Sequence, residues 1–523
     1  MILEISKLLD KSISKVLFSY LFMIAIVYPL FMTSGGYTSL GHDKYLFYRT
    51  STLIMLAVVL VLAVLSRLLA GIKISNSFRL VKTQWFAFIF LFLATLSWFF
   101  SSYRMTAWQG NKGWFIGLET YFMVLLAYFF ISYFFHYRDL IWLLFLIGSG
   151  TSFILGILNR FSFYPFEFPL MAPHFISTLG NVNWIAGYFS VIWPVGAGLY
   201  LFAEKKYLRY SAGVYTILAI CLGIVLGSDS AFLSFIAVFF ILLLISLRDW
   251  ERYGLRYLEL IMVWCLSFQW IRFLRFALPG RFNYGVDGLG GLLTANHFSL
   301  YLFLLVLIPY FLMKTKAAFW EKPRELVYRV AGSRLTRKML IFLPFIMFLL
   351  FILAVFMNTA LDGFFGLHQS AVFTYNGEWG SFRGATWILA IELFTRMNPL
   401  QQLIGLGPDC FAEFLYQFPD LVASSNELFG SQKLMNAHNE ILTMLVNVGI
   451  LGTIAYLGIF ITFFIRFMKK GNKDAILYIP AVCVLSYLTH NMVSFGQILN
   501  LPFVFIIMGL GESELRRCKS CCY

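Results

Sequence analysis

Three polar residues stand side by side where a long apolar run begins. The stretch NAHNEILTMLVNVGILG starts at Asn436, and His438, Asn439 and Glu440 precede its apolar part. Asn436 is predicted to be the N-cap of a helix that begins near Ala437, and Glu440 in the first turn suits the helix dipole. Neither effect requires His438, which the positive end of the dipole should keep neutral.

A neutral imidazole can accept a proton or bind a polar group. The alternative is an interfacial histidine whose ring is bonded by the loop backbone. The chemistry of His438 alone favours neither interpretation, and it leaves open whether the ring is a base or a phosphate ligand.

Arginines are the second residue type in this sequence that could bind a substrate. Arg383 lies in GSFRGATW, and Arg272, Arg275 and Arg281 lie in WIRFLRFALPGRFNYG. A guanidinium matches phosphate oxygens in a bidentate manner. The alternative is that these chains snorkel to lipid headgroups, which is a strong interpretation for Arg272 and Arg275 and a weaker one for Arg383.

Motifs of several other chemistries are missing from the sequence. It has no Walker loop for ATP, no HExxH and no GxSxG nucleophile elbow. No compact DxD pair lies in the predicted outer segments, which argues against a metal-bound nucleotide sugar. The terminal CKSCC has neither a His nor a second Cys pair beside it. We therefore expect neither a metal nor a cofactor.

The composition identifies the solvent around these residues. Hydrophobic residues make up 60% of the 523 positions and charged residues only 12%, about half of what soluble domains contain. We predict an all-α polytopic membrane protein. The net charge of +15 is spread over many short loops, so we expect it to follow the positive-inside rule and expect no nucleic-acid partner.

About 14 apolar runs are long enough to be transmembrane helices. They are predicted at 16–34, 50–71, 84–101, 118–135, 139–158, 183–202, 210–227, 230–247, 256–275, 296–313, 339–358, 438–466, 475–494 and 497–512.

The Lys- and Arg-rich loops fall on one side of this arrangement, and 314–338 is the most basic of them. That side is predicted to be cytoplasmic, with both termini. The chain then divides into membrane helices (1–358), one large extracytoplasmic loop (359–437), C-terminal membrane helices (438–512) and a cytoplasmic tail (513–523). The loop is predicted to be partly helical, over 385–397.

Three segments carry a family resemblance. NAHNEILTMLVNVGILGTIAYLGIF (436–460) and FRGATWILAIELFTRMNPLQQLIGLGPDCF (382–411) resemble the two signature motifs of the O-antigen ligase-like and polymerase superfamily, in the family's order. STLGNVNWIAGYFSVIWPVGAGLYLF (177–202) resembles an earlier motif of the same family. One departure is GSDSAFLSF, which has Asp229 where members often have an arginine. The missing phosphate contact could come from Arg281.

The resemblance implies a membrane glycosyltransferase of the GT-C-like type, in the plasma or inner membrane, with its active site extracytoplasmic. Such an enzyme moves a glycan from a polyprenyl diphosphate to a hydroxyl of a glycan, lipid or protein, without a metal and with inversion. His438 would be the base and Arg383 would stabilise the diphosphate. Diphosphate- or glycan-binding roles are expected for Arg281, Arg272, Trp387, Asn439 and Glu440.

Two other functions stay open at this level. A flippase for lipid-linked oligosaccharides also needs many spans, but it should place charges deep within them. A structural scaffold would make the ordered motifs a coincidence. Ligase and polymerase share these motifs, so the residues do not name the acceptor.

Overall fold

A computed structural model describes residues 2–70, 80–282, 297–315, 320–361, 373–430 and 432–520, without the side chains of 2–7, 69–70 and 519–520. Parts of the predicted outer loop (362–372 and 431), the ends of two predicted runs (71 and 296) and Cys521 and Cys522 of the CKSCC motif lie outside the described residues.

The described chain is almost entirely helical. A two-stranded antiparallel hairpin, β1 (Phe175–Ile176) and β2 (Gly180–Asn181), precedes α8. The first helices are α1 (Ile2–Phe22, continued by a π turn at Met23–Val27), α2 (Tyr28–Leu30), α3 (Leu40–Ala70), α4 (Lys82–Phe100), α5 (Arg104–Gln109), α6 (Leu118–Phe134), α7 (Leu140–Arg160), α8 (Val182–Phe202), α9 (Lys206–Leu226), α10 (Asp229–Ser246) and α11 (Trp250–Ala277). The remaining helices are α12 (Phe298–Lys314), α13 (Glu321–Gly332), α14 (Arg334–Ala360), α15 (Trp379–Thr395), α16 (Pro399–Ile404), α17 (Phe411–Leu415), α18 (Pro419–Phe429), α19 (Glu440–Lys470), α20 (Tyr478–Asn491, after a 3₁₀ turn at Ala475–Leu477) and α21 (Leu501–Ser520).

Every predicted apolar run overlaps one of these helices. Among the described residues, ten helices are long and apolar enough to cross a membrane, and three shorter apolar helices accompany them. The all-α polytopic class is thus confirmed, whereas the count of about 14 spans and the GT-C-like architecture stay predictions.

The helices bury one extended core and expose apolar side chains around it. α8 is buried along nearly its whole length and packs on α9 and α20, while α4 packs along α19. None of the side chains in the apolar part of α14 is buried, and Phe342, Phe345 and Phe348 are all exposed. Apolar surface of this extent is stable in lipid and not in water.

The segment before α19 has a small hydrophobic core of its own. Leu389 and Leu393 of α15 pack there with Phe411 of α17 and with Ala437, which directly precedes His438. The predicted helix at 385–397 is found as part of α15. This second core fixes the segment before α19 against the start of that helix.

The segment before α19 packs against this helix at a break in the helix. Gly449 has φ 69° and ψ −177°, a conformation essentially restricted to glycine. The turn at 405–407 lies against this break, where Leu406 and Gly407 donate backbone hydrogen bonds to the carbonyls of Val446 and Asn447. A Cβ at Gly449 would lie 2.4 Å from the backbone of Leu403.

We expect Gly449→Ala to destabilise the protein by about 1–3 kcal/mol from backbone strain alone, and by more once the clash is included. The measurement is the melting temperature of the detergent-solubilised protein. Gly332→Ala is the matched control, because a Cβ there meets nothing within 4 Å. Equal melting temperatures for both variants would contradict this account of the break.

Candidate active site

His438 lies just before α19, in a backbone conformation that few side chains adopt. Its φ is 48°, in the left-handed region. Its amide donates to Asn436 Oδ1 at 3.0 Å, and the hydroxyl of Thr386 lies 3.0 Å from the carbonyl of Ala437. The helix begins at Glu440 with Asn439 as N-cap, so the prediction that Asn436 caps this helix is wrong. Asn436 stabilises the turn that precedes the helix instead.

The imidazole of His438 is partly exposed and packs edge-to-face on Phe495, with ring centres 5.3 Å apart. Neither ring nitrogen has a hydrogen-bond partner among the residues that the structure describes. The expected alternative, a ring bonded by loop backbone, is not seen in this part of the chain. The ring is therefore oriented by packing and keeps both nitrogens available.

Arg383 approaches the same place from α15. Gly380, Ser381 and Phe382 all have positive φ, so the regular helix starts only at Arg383. Its Nε donates to the carbonyl of Val493 at 2.8 Å, and its Nη1 donates to the carbonyl of Gly380 at 2.6 Å. Nη2 has no protein partner among the described residues. One edge of the guanidinium is thus fixed and the other is free.

The two side chains influence each other electrostatically. Burial, together with the positive charge of Arg383, lowers the pKa of His438 to about 4. Burial also lowers the pKa of Arg383, while the negative charge of Asp229 opposes that shift. An arginine still stays protonated at any physiological pH. The site therefore combines a cation with a neutral imidazole.

Asn439 and Glu440 hold the loop between α20 and α21 against this pair. Asn439 Oδ1 caps α19 by accepting from the amides of Ile441 and Leu442, and its Nδ2 donates to the carbonyl of Met492 at 3.0 Å. Glu440 is buried, and its carboxylate accepts from the amide of Gly496 and the hydroxyl of Tyr456.

The other predicted site residues lie in different surroundings. Trp387 packs on Trp379 at 5.6 Å, and its indole nitrogen is buried without a partner among the described residues. Arg272 lies 3.1 Å from His297, and Arg281 stacks over Phe163. No contact in the described part of the chain joins Arg272 or Arg281 to Arg383 or His438, and their substrate-binding roles stay predictions.

Residues 490–497 were missed at the level of sequence. Their carbonyls accept from Arg383 and Asn439, and Phe495 orients His438. His490 is buried close enough for the charge of Arg383 to act on it. The available signal was the pair His490 and Asn491 at the end of an apolar run.

One group of potential metal ligands occurs among the described residues, away from this site. Asp474, Glu514 and Cys518 place ligand atoms within 4.8 Å of one another. Each already has a protein contact, because Cys518 lies 3.1 Å from Asp474 and Glu514 pairs with Arg517. We assign this cluster no role in the chemistry of His438.

The segment that contains Arg383 and His438 also matches a known family. The model of the O-antigen ligase family matches residues 286–457, about one third of the chain. Over this segment the chain is similar to the O-antigen ligase family. The resemblance predicted from the motifs is confirmed. A comparison with curated proteins finds no match. The matched segment includes the turn at 405–407 and the break at Gly449, whereas residues 490–497 lie outside it.

We expect Arg383→Gln to raise the pKa of His438 above 4, because it removes a positive charge from a partly buried imidazole. The measurement is the pH dependence of diethyl pyrocarbonate labelling at His438, read by mass spectrometry. Arg383→Lys is the control that retains the charge, and its labelling profile should stay close to wild type. An unchanged profile in Arg383→Gln would show that the two groups are not coupled.

Proposed function

We propose that this chain is a membrane glycosyltransferase that moves a glycan from a polyprenyl diphosphate to an acceptor hydroxyl, with inversion and without a metal. The observation that supports it best is that a partly exposed, neutral His438 lies near Arg383, and that each has a side-chain nitrogen without a partner among the described residues. The match to an O-antigen ligase family over these same residues supports the substrate class.

Arg383 acts on the leaving group in this proposal. When the bond between sugar C1 and the diphosphate oxygen breaks, negative charge grows on the diphosphate. The free edge of Arg383 offers fixed donors to that charge, and a group fixed in advance stabilises a transition state without reorganising. The bond from Nε to the carbonyl of Val493 holds the guanidinium in place.

His438 acts on the acceptor. Its neutral ring takes the hydroxyl proton while the acceptor oxygen attacks C1 from the face opposite the diphosphate. A base with a pKa of about 4 is weak. A bound diphosphate would offset the charge of Arg383 and raise the pKa of His438 toward the range of an effective base. Donor binding thereby activates the base.

We expect His438→Ala to lower the rate of glycan transfer by about 10²–10⁴-fold, the usual contribution of a general base. Arg383→Ala should cost at least about 10²-fold through lost stabilisation of the leaving group. The measurement is the surface-glycan ladder of deletion cells that carry each variant, with protein levels checked in the membrane. Single repeat units in place of the ladder would indicate a polymerase, and long chains retained on the carrier would indicate a ligase.

His136→Ala and Arg252→Ala are the controls. His136 lies in the turn between α6 and α7 and Arg252 in the first turn of α11, both on the side predicted to be cytoplasmic. A wild-type ladder in His438→Ala or Arg383→Ala would refute the assignment of that residue. Movement of lipid-linked glycan across vesicles by the purified protein, without any new glycosidic bond, would favour a flippase instead.

The active site should face outward and the termini inward. Ser102 is exposed in the loop after α4, and Lys473 is exposed in the turn before α20. We expect an impermeant maleimide to label Ser102→Cys on intact cells and Lys473→Cys only after permeabilisation. Wild type supplies the background from native cysteines. The reverse pattern would place the site in the cytoplasm.

A further inference from the structure

A row of aromatic rings leads away from His438. Phe495 touches His438 and lies 4.6 Å, centre to centre, from Trp114. Trp114 lies 5.3 Å from Trp184, and Trp184 lies 6.3 Å from Phe175. All four contacts are edge-to-face, with interplanar angles between 77° and 88°. We call Phe495, Trp114, Trp184 and Phe175 the aromatic track.

Four separate segments of the chain build this track. Phe495 lies in the loop between α20 and α21, and Trp114 lies in the loop between α5 and α6. Trp184 stands in the first turn of α8, and Phe175 lies in β1. The loop of Trp114 is anchored to the segment before α19 through Asn111. Its backbone amide donates to Asp409 Oδ2 and its side-chain amide donates to the carbonyl of Asp409, both at 2.6 Å.

The rings of the aromatic track differ in their exposure to solvent. Phe495 is buried, whereas Trp114, Trp184 and Phe175 are all partly exposed. Neither Trp114 nor Trp184 has a hydrogen-bond partner for its indole N–H among the described residues. The exposed Asn183 stands beside Trp184 in the first turn of α8. The track therefore offers flat apolar faces together with free polar groups.

This combination suits a carbohydrate. The axial C–H bonds of a pyranose form an apolar face that stacks on an aromatic ring, while its equatorial hydroxyls need donors and acceptors at the edge. Tryptophan supplies an apolar face and an N–H donor in one side chain. Neighbouring rings are nearly perpendicular, with interplanar angles between 77° and 85°, so each ring offers its own stacking face to a different part of a bound chain.

We propose that Trp114, Trp184 and Phe175 bind the oligosaccharide chain whose end reacts at His438. The proposal rests on the glycosyltransferase function above, and it adds a subsite outside the segment that matches the O-antigen ligase family. The chain bound here belongs either to the donor or to the acceptor. Because the site contacts sugars beyond the reacting one, its contribution should depend on glycan length.

The test uses Trp114→Ala and Trp184→Ala in the full-length protein in nanodiscs. We expect KM to rise about tenfold for substrates with several sugars, the effect of losing one stacking contact, and to stay unchanged for a substrate with a single sugar. kcat should change little. Trp114→Phe and Trp184→Phe, which keep a ring, should restore most of the affinity. Trp270→Ala on α11 is the control, since Trp270 is exposed and outside the track.

Varying donor and acceptor length separately identifies the source. A length-dependent rise in KM for the donor assigns the track to the donor glycan, and one for the acceptor assigns it to the acceptor. An equal change in KM for short and long substrates, or no change, overturns the proposal.

A binding measurement separates this proposal from the proposed function. The probe is the oligosaccharide released by mild acid from the host cell's own surface glycan and labelled with a fluorophore at its reducing end, and the readout is fluorescence anisotropy. We expect the double variant of Trp114 and Trp184 to bind about tenfold or more weakly, and Trp270→Ala to bind as wild type does. Unaltered binding by the double variant overturns the track even if the enzyme transfers glycans. Weakened binding supports it even if His438→Ala transfers normally and the assignment of the base fails.

Discussion

The site depends on a contact between two stretches of backbone. The turn at 405–407 donates to the carbonyls of Val446 and Asn447, next to the point where α19 is interrupted at Gly449. At Gly405 and at Gly449 a Cβ would lie within 2.4 Å of facing backbone atoms. Glycines on both sides let the turn at 405–407 pack directly against α19. The start of α19, and His438 with it, is thereby fixed relative to Arg383 of α15.

Charge is the second constraint on the site. A guanidinium taken partly out of water is costly unless it is hydrogen-bonded, and Arg383 meets that requirement with two carbonyls and, among the described residues, no carboxylate contact. A carboxylate pair would neutralise it before any substrate arrived. Asp229 acts on it only at a distance, so the arginine keeps most of its charge for an anion. Burial and, after it, this same charge lower the pKa of His438, so the two residues are electrostatically coupled.

The sequence predicts the architecture well and the site in part. Each predicted apolar run overlaps a helix, because the length and hydrophobicity that a membrane helix needs are local properties of the sequence. Residue type and motif order pointed to His438 and Arg383, and the structure brings them close enough to interact electrostatically, while their catalytic roles stay predictions. The N-cap was misplaced by three residues, since the left-handed turn at His438 delays the helix start to Glu440. Residues 490–497 and the track around Trp114 arise from contacts between distant segments, and no periodicity within one segment reports such contacts.

The backbone at His438 has a consequence for natural variation at this position. A φ of 48° is tolerated by Gly, Asn, Asp and His far better than by β-branched residues. The backbone conformation at position 438 and the acid–base chemistry of its side chain are therefore two separate requirements on the residue type. An asparagine at this position would keep the backbone of the turn. It would remove the proton acceptor that the proposed mechanism requires.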